Sequence, residues 1–259
     1  MLDYIQSLPI ALIYFIITAL IFLSFEIGYR ISKRLYAKTD LKETKALGQI
    51  SAGLLGMLAF VLAFTFSMAA SQYANRKQMV LQEANAIGTA YLRADLVAEP
   101  YAKELKYLLQ EYVTTRLEAV KKENLVKGLL RSVEIHRLLW LQVKSAAKTN
   151  PNTNTSLMVQ SINEVIDMHE NRVTAGLHDK IPTSIWITLF AISAMAMLTI
   201  GMEFGLGESR RIIVIIPMML AFAALTTLIV ELNRPQEGMI KVGQESMISL
   251  QKSMDIDLN

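Results

Sequence analysis

The chain has 259 residues, of which 53% are hydrophobic, and a formal net charge of +3. Such a small net charge argues against nucleic acid as a partner, and the absence of cysteine excludes a disulfide scaffold and thiol chemistry. Four apolar blocks each have about the twenty residues that a helix needs to cross a bilayer. We therefore predict an all-α integral membrane protein with four transmembrane helices, from blocks at residues 8–27, 50–70, 183–206 and 212–230.

These blocks divide the chain into four predicted parts. Residues 1–70 form a first transmembrane hairpin with a basic connector at 31–47, and residues 183–231 form a second hairpin. Residues 71–182 lie between the hairpins and predict an extramembrane helical bundle, because they are polar, amphipathic and free of strand patterns. Residues 232–259 form a C-terminal tail.

The connector predicts the orientation in the membrane. It is rich in Lys and Arg, and such loops are usually cytoplasmic. Four crossings then place the helical domain and both termini on the other side. Just before the connector, Glu26 lies one helical turn from Arg30. This spacing favours an ion pair that fixes the helix at the membrane boundary, and a role in a site is the alternative.

Small residues recur along the second block at spacings of three and four, which places them on one face of a helix. Close packing of helices in lipid depends on such small faces. Two interpretations are open: the stripe packs against a helix of its own subunit, or it packs against copies of itself and lines an oligomeric pore. Phe60 and Phe64 lie beside or opposite the stripe and are candidates for an apolar constriction; the alternative is that their rings face lipid or fill a core. The stripe consists of Ala52, Gly56, Ala59, Ala63, Ser67 and Ala70, and it continues to Ala74 just beyond the block.

The second block continues into a polar, amphipathic segment without any Pro. We therefore predict a single helix over residues 49–93, about 65 Å long, that leaves the membrane near Ser71. Four polar residues beyond the membrane are candidates for a vestibule or for a functional motif of the domain, and a solvated face with local salt bridges is the alternative. These candidates are Arg76, Glu83, Asn85 and Arg93.

The helical domain is predicted to contain three further helices. One begins at Pro100, a second follows a break near Gly128, and a third follows the turn at residues 149–155. In the second of them, apolar periodicity predicts that four residues face inward. These residues are Leu129, Val133, Trp140 and Val143.

The second hairpin carries its own boundary features. Gly201 and Gly205 form a small-residue pair of the kind that brings two helices together. Ionisable groups near the membrane core usually pair with one another, so a cluster is expected on the connector side. It contains Glu26, Arg30, Glu203, Arg210 and Arg211. Glu231 and Arg234 end the fourth block on the opposite side.

Catalytic motifs are absent from the sequence. It has no nucleophile elbow, P-loop, dinucleotide fingerprint or HExxH motif. The three histidines, His136, His169 and His178, are not spaced to converge on one helix face. We therefore expect no enzymatic activity, no cofactor and no metal site.

Three runs resemble the bacterial bestrophin-like domain membrane proteins. EANAIGTAYLR at residues 83–93 is the most specific, and FEIGYR at 25–30 and ELNRPQEGM at 231–239 are similar to other recurring segments. The chain has Asn233 where the tail motif of that family has an acid. The resemblance implies four crossings with a helical domain between the second and third, and an oligomeric channel in a bacterial inner membrane. Bestrophin topology keeps the domain and termini in the cytoplasm, whereas the loop charges here place them in the periplasm.

These observations predict a homo-oligomeric ion channel or pore, lined or assembled by the second transmembrane helix. Its basic vestibule residues, Arg76, Lys77 and Arg93, favour anions. Its partners are the lipid bilayer, further copies of itself in a tetramer or pentamer, and ions. The alternative is a non-conducting membrane sensor or scaffold whose helical domain binds a partner or ligand.

Overall fold

The structure, a computed structural model, describes residues 8–35, 41–206, 212–234 and 239–256. No strand occurs in these ranges. The α-helices are, in chain order, α1 (Ile10–Leu35), α2 (Leu41–Ala94), α3 (Tyr101–Glu118), α4 (Leu125–Thr149), α5 (Thr153–Val173), α6 (Thr183–Leu206), α7 (Ile212–Leu232) and α8 (Glu245–Ile256). A 3-10 turn, Lys122–Asn124, precedes α4, and a π-helical turn, Thr174–His178, follows α5.

The prediction of one long second helix is confirmed. α2 has 54 residues, which corresponds to about 80 Å at 1.5 Å per residue. It is longer than the predicted helix because it begins within the polar connector, at Leu41. The predicted class, an all-α membrane protein with four crossings, is also confirmed, since four helical segments of the described chain are long and apolar enough to cross a membrane. That residues 71–182 lie outside the membrane stays a prediction.

The chain forms two compact units. The first consists of Met1–Gln72 and Lys180–Ile240, and the second of Tyr73–Asp179 and Lys241–Asn259. In the first unit α1 packs along α6 and α7. In the second unit α3 packs against α4 and α8, and α4 packs against α5.

Glycines allow α1 and α6 to approach closely. A Cβ atom added at Gly201 would lie 2.0 Å from the carbonyl oxygen of Phe25, and one added at Gly28 would lie 2.0 Å from that of Leu198. At Gly205, a Cβ atom would lie 2.8 Å from the carbonyl oxygen of Tyr29. The pair at 201 and 205 therefore serves packing within one chain, through contact of α6 with the backbone of α1.

The second unit has an apolar core made by one face of each of its helices. Fully buried side chains include Leu105 and Leu109 of α3, Leu139 of α4 and Met158 of α5. Met247 of α8 is also fully buried. The segment after the fourth apolar helix thus contributes to this core.

The predicted inward face of α4 is wrong in two positions. Val133 is 57% exposed and Trp140 is 40% exposed, whereas Ile135 and Leu139 are fully buried. The reason is that α4 has apolar residues on two faces, so periodicity alone does not distinguish the face in the core from the outer one.

We expect Gly201→Val to prevent correct packing of the first unit, because the neighbouring atoms are backbone and cannot move aside. Detergent-solubilised variant protein should lose its monodisperse elution and show a lower thermal midpoint than the wild type. Gly53→Val is the matched control in an apolar helix, since nothing lies within 4 Å of a Cβ atom added there. Equal thermal midpoints for the two variants would contradict the close approach.

Candidate functional site: an exposed helix face and a buried carboxylate

The predicted small-residue stripe of α2 lies on the surface of the subunit. Of its seven residues, Ala70 is half-buried and the others are exposed. Nothing lies within 4 Å of a Cβ atom added at Gly56. The opposite side of the helix carries the buried Leu58 and Leu62. In the described part of the chain, therefore, no helix of the same subunit covers the stripe. This finding argues against the interpretation that the stripe packs against a helix of its own subunit.

Two large aromatic side chains flank this surface. Phe60 is 73% exposed and Phe64 is 55% exposed. Their rings have no aromatic partner among the residues that the structure describes. Both are free to meet lipid or another subunit.

The part of α2 in the second unit also has an exposed face. Ala74, Gln78, Leu81, Asn85 and Leu92 are exposed, and their spacings of four, three, four and seven place them on one side of the helix. Of the predicted domain candidates, only Asn85 lies on this outer face.

Arg76 and Arg93 face into the second unit instead. Arg76 is buried, and its guanidinium donates hydrogen bonds to the carbonyl oxygens of Ala175 and Asp179, each at 2.9 Å. Arg93 donates to the hydroxyl of Ser161 at 2.7 Å. These residues connect α2 to α5 and to the turn that follows it, so their charges are engaged within the subunit.

The strongest polar cluster of the second unit surrounds Glu83, whose carboxylate is fully buried. The hydroxyl of Tyr112 donates to its Oε1 at 2.6 Å, and Nε of Arg116 lies 3.0 Å from the same oxygen. Arg172 donates to its Oε2. Burial alone would raise the pKa of Glu83, but the charges of Arg172 and Arg116 outweigh it and lower that pKa below its usual range.

Two histidines extend this cluster. Nδ1 of His169 lies 3.0 Å from the hydroxyl oxygen of Tyr112. Because the hydroxyl hydrogen is directed to Glu83, His169 is the donor in that contact. The ring of His136 packs edge-on against that of His169, with 4.7 Å between centroids. Burial lowers the pKa of His136 to about 4 and that of His169 to about 3, so both rings are neutral at pH 7.

The cluster also includes the C-terminal segment. Arg172 donates a second hydrogen bond, from NH2 to the side-chain oxygen of Gln244, at 2.8 Å. Gln244 directly precedes α8. One guanidinium thus bridges a carboxylate on α2 and an amide next to α8.

This arrangement joins helices of the second unit. One carboxylate faces two guanidiniums, and no trio of potential metal ligands occurs among the described residues. Its members come from α2, α3, α4 and α5, so it fixes the rotation of α2 about its axis within the second unit. With Glu83 directed inward, Leu81 and Asn85 are directed outward.

The predicted boundary cluster is present only in part. Glu26 and Arg30 form the predicted pair, with 2.8 Å between Oε1 and Nε. Glu203 lies beside Gly48 of α2, and its carboxylate forms no ion pair within the described ranges. Arg210 and Arg211 lie outside the described residues.

The residues that end α7 bind backbone atoms of other segments. The carboxylate of Glu231 accepts a hydrogen bond from the amide of Ile240 at 3.1 Å, and the side-chain oxygen of Asn233 accepts one from the amide of Ile181 at 3.1 Å. Arg234 donates to the carbonyl oxygen of Leu8 at 2.8 Å. Asn233 performs this role without a charge, because a carboxamide oxygen accepts an N–H as a carboxylate does.

Sequence reasoning found Glu83 but missed most of its partners. Tyr112, Arg116 and Arg172 are not among the candidates that the sequence indicates. One signal was available: Tyr112 and Arg116 are four residues apart, and His169 lies within an apolar stripe, where a polar side chain needs a partner.

The fold defines a class, a helical integral membrane protein, whose described residues include four helices long and apolar enough to cross a membrane. Residues 15–247 match the family model for the Bestrophin-like domain, and the chain belongs to that family. A comparison with curated protein sequences gave no match.

Solved structures with a similar fold include crystal structures of a bacterial bestrophin homologue from Klebsiella pneumoniae. One has a TM-score of 0.66 at 12% identity and covers 95% of this chain and 97% of the other. A point variant of that homologue has a TM-score of 0.67 at 12% identity and covers 96% and 99%. A structure described only as a membrane protein variant has a TM-score of 0.67 at 13% identity and covers 95% and 97%.

We expect Glu83→Gln to destabilise the second unit by about 3–5 kcal/mol, because it leaves two guanidiniums buried without a compensating charge. Hydrogen exchange of peptides from α3 and α5 should accelerate accordingly. Glu104→Gln on α3 is the matched control, since Glu104 is exposed. Unchanged exchange in the Glu83 variant would show that the cluster does not hold the unit together.

The buried histidines predict loss of stability in acid. Since their folded-state pKa values lie below the ordinary value of about 6.5, the unfolded chain binds more protons than the folded one below that pH. The second unit should be fully stable above about pH 6.5 and lose up to about 1.4 kcal/mol per pH unit for each histidine towards pH 4. Hydrogen exchange measured across this range checks it.

Two variants test this prediction: His136→Gln removes one of the buried histidines, and His178→Gln is the control. The first should flatten the pH dependence of exchange in α4, whereas the second should leave it as in the wild type, because His178 is exposed. Identical pH profiles for the wild type and the His136 variant would contradict this prediction.

Proposed function

We propose that the protein is a homo-oligomeric ion channel of the membrane, in which the exposed face of α2 assembles and lines the central axis. The observation that carries this proposal is the small-residue stripe, which is exposed in the subunit although it is apolar and shaped for close helix packing. A face of this kind on a membrane helix is well suited to other copies of the same helix. Membership of the Bestrophin-like family supports the proposal.

The geometry of the face supports a narrow path. Alanine, glycine and serine let identical helices approach one another, and the exposed rings of Phe60 and Phe64 stand beside them. Aromatic rings at the edge of such a packed axis form an apolar constriction, which controls passage by excluding water. A tetramer and a pentamer both satisfy this requirement.

Exposed residues of the same helix give the proposed pore an entrance with little charge. Beyond the membrane its outer face carries Gln78, Leu81 and Asn85, and the nearby Lys77 is exposed. Arg76 and Arg93 are engaged inside the subunit, so they no longer support an anion preference. A preference for anions therefore depends on Lys77 rather than on three basic residues.

The orientation follows from the loop charges. The basic residues of the connector favour the cytoplasmic side for it. We propose accordingly that the second unit is extramembrane and periplasmic in a bacterial inner membrane.

Ala59→Trp tests the role of α2, because its indole would occupy the axis or prevent assembly. Purified protein reconstituted in liposomes should give ion flux, and the variant should give the flux of protein-free liposomes. Val214→Trp on α7 is the matched control, since Val214 is exposed on another apolar helix.

Two outcomes would contradict the proposal. Wild-type protein that is oligomeric but gives no flux under any voltage or gradient favours the scaffold interpretation instead. Ion flux that persists in the Ala59→Trp variant would show that α2 does not line the ion path.

A further inference from the structure

A second surface without a partner lies on α4. Its residues recur at spacings of three and four, with Trp140 and Leu141 adjacent, which places them along one side of the helix. We call this side the α4 outer stripe; it consists of Val126, Leu130, Val133, Arg137, Trp140, Leu141, Lys144 and Lys148. Val126 is 67% exposed and Leu130 is 69% exposed, although the other side of α4 is fully buried in the core. An aligned row of exposed apolar side chains marks an interaction surface.

The charges of the stripe are also unmatched. Arg137, Lys144 and Lys148 form no ion pair with any residue that the structure describes. Arg131, on the flank of the same helix, is paired with Glu111 and Glu134. Glu111 and Glu134 thus neutralise Arg131 on the flank, and the positive charge of the outer stripe is not neutralised by them.

The neighbouring helix has the opposite character. Its exposed acids Glu164, Asp167 and Glu170 lie at intervals of three on one side of α5, which we call the α5 outer face. They too form no ion pair within the described ranges. Leu157 and Met168, both half-buried, flank these acids and offer apolar contact. One unit therefore carries a basic apolar surface and an acidic surface, on two different helices.

These two surfaces complement each other only between different copies. A symmetric contact of the α4 outer stripe with itself would bring its three cations together, which is unfavourable. A head-to-tail contact brings the stripe of one copy to the acids of the next, and repetition of such a contact closes a ring. An anionic membrane surface would match the cations but would leave the acidic face unmatched.

We propose that the α4 outer stripe is a subunit interface that docks on the α5 outer face of a second copy of this chain. The inference rests on the proposed oligomeric channel and adds the surfaces through which the second units meet. Each subunit then contributes the stripe to one neighbour and the acidic face to the other.

Charge reversal tests the contact in the full-length protein in detergent. Arg137→Glu with Lys144→Glu should reduce the fraction of oligomer measured by light scattering. Adding Glu164→Lys and Asp167→Lys to the same chain should restore it, because the charges are then exchanged. Lys127→Glu is the matched control on α4, since Lys127 is exposed but lies off the stripe.

Cysteine cross-linking tests the geometry, and the wild-type chain contains no cysteine that could interfere. Two chains should be co-expressed, one with Lys144→Cys and the other with Asp167→Cys. Oxidation should give covalent dimers of the two different chains. Neither chain should form dimers when it is expressed alone.

The outcomes separate this inference from the proposed function. A monomeric wild type overturns both. An oligomeric, conducting wild type whose oligomer survives charge reversal overturns only the α4 interface. Docking on α5 is overturned if the exchanged charges fail to restore assembly, or if the Lys144→Cys chain cross-links with itself. It is also overturned if charge reversal on α4 abolishes binding to anionic lipid vesicles and leaves the oligomer unchanged.

Discussion

The second unit depends on one buried carboxylate. Glu83 is shielded from water and is stabilised by two guanidiniums and a phenol hydroxyl. Removing charges from water is costly, and only such a complete set of partners offsets that cost. The partners come from different helices, so the helices must lie where these contacts can form. The cluster thereby determines which side of α2 is inside and which side is left on the surface.

The first unit is held by a different kind of constraint. α1 and α6 approach so closely at Gly28 and Gly201 that no side chain fits between them. Packing of this kind suits lipid, where there is little hydrophobic drive between helices. Small residues on α2 have the same character but are exposed. The functional proposal is based on this difference between small residues that contact a helix of the same subunit and small residues that do not.

Much of the fold was predictable because it depends on length and periodicity. An uninterrupted run without Pro predicts α2 as one helix, and apolar blocks predict the four crossings. The glycines at 201 and 205 were recognisable as a packing pair, but the sequence does not say whether the partner is α1 or another subunit. The family resemblance was carried by a run, residues 83–93, that contains Glu83 itself.

The candidate site was less predictable, since it depends on contacts between distant residues. Arg76 and Arg93 look like surface cations in the sequence, yet carbonyl and hydroxyl groups from α5 and its turn bind them. Val133 and Trp140 look like core residues because α4 is apolar on two sides. Local periodicity identifies a face but cannot identify what covers it.

The end of α7 has a consequence for how the chain is made. Arg234 binds the carbonyl oxygen of Leu8, which is 226 positions earlier. A ribosome delivers the N-terminal segment long before the residue that secures it has been translated. The first helix is therefore synthesised before its partner exists, and the Leu8 carbonyl gains this hydrogen bond only after Arg234 has been made.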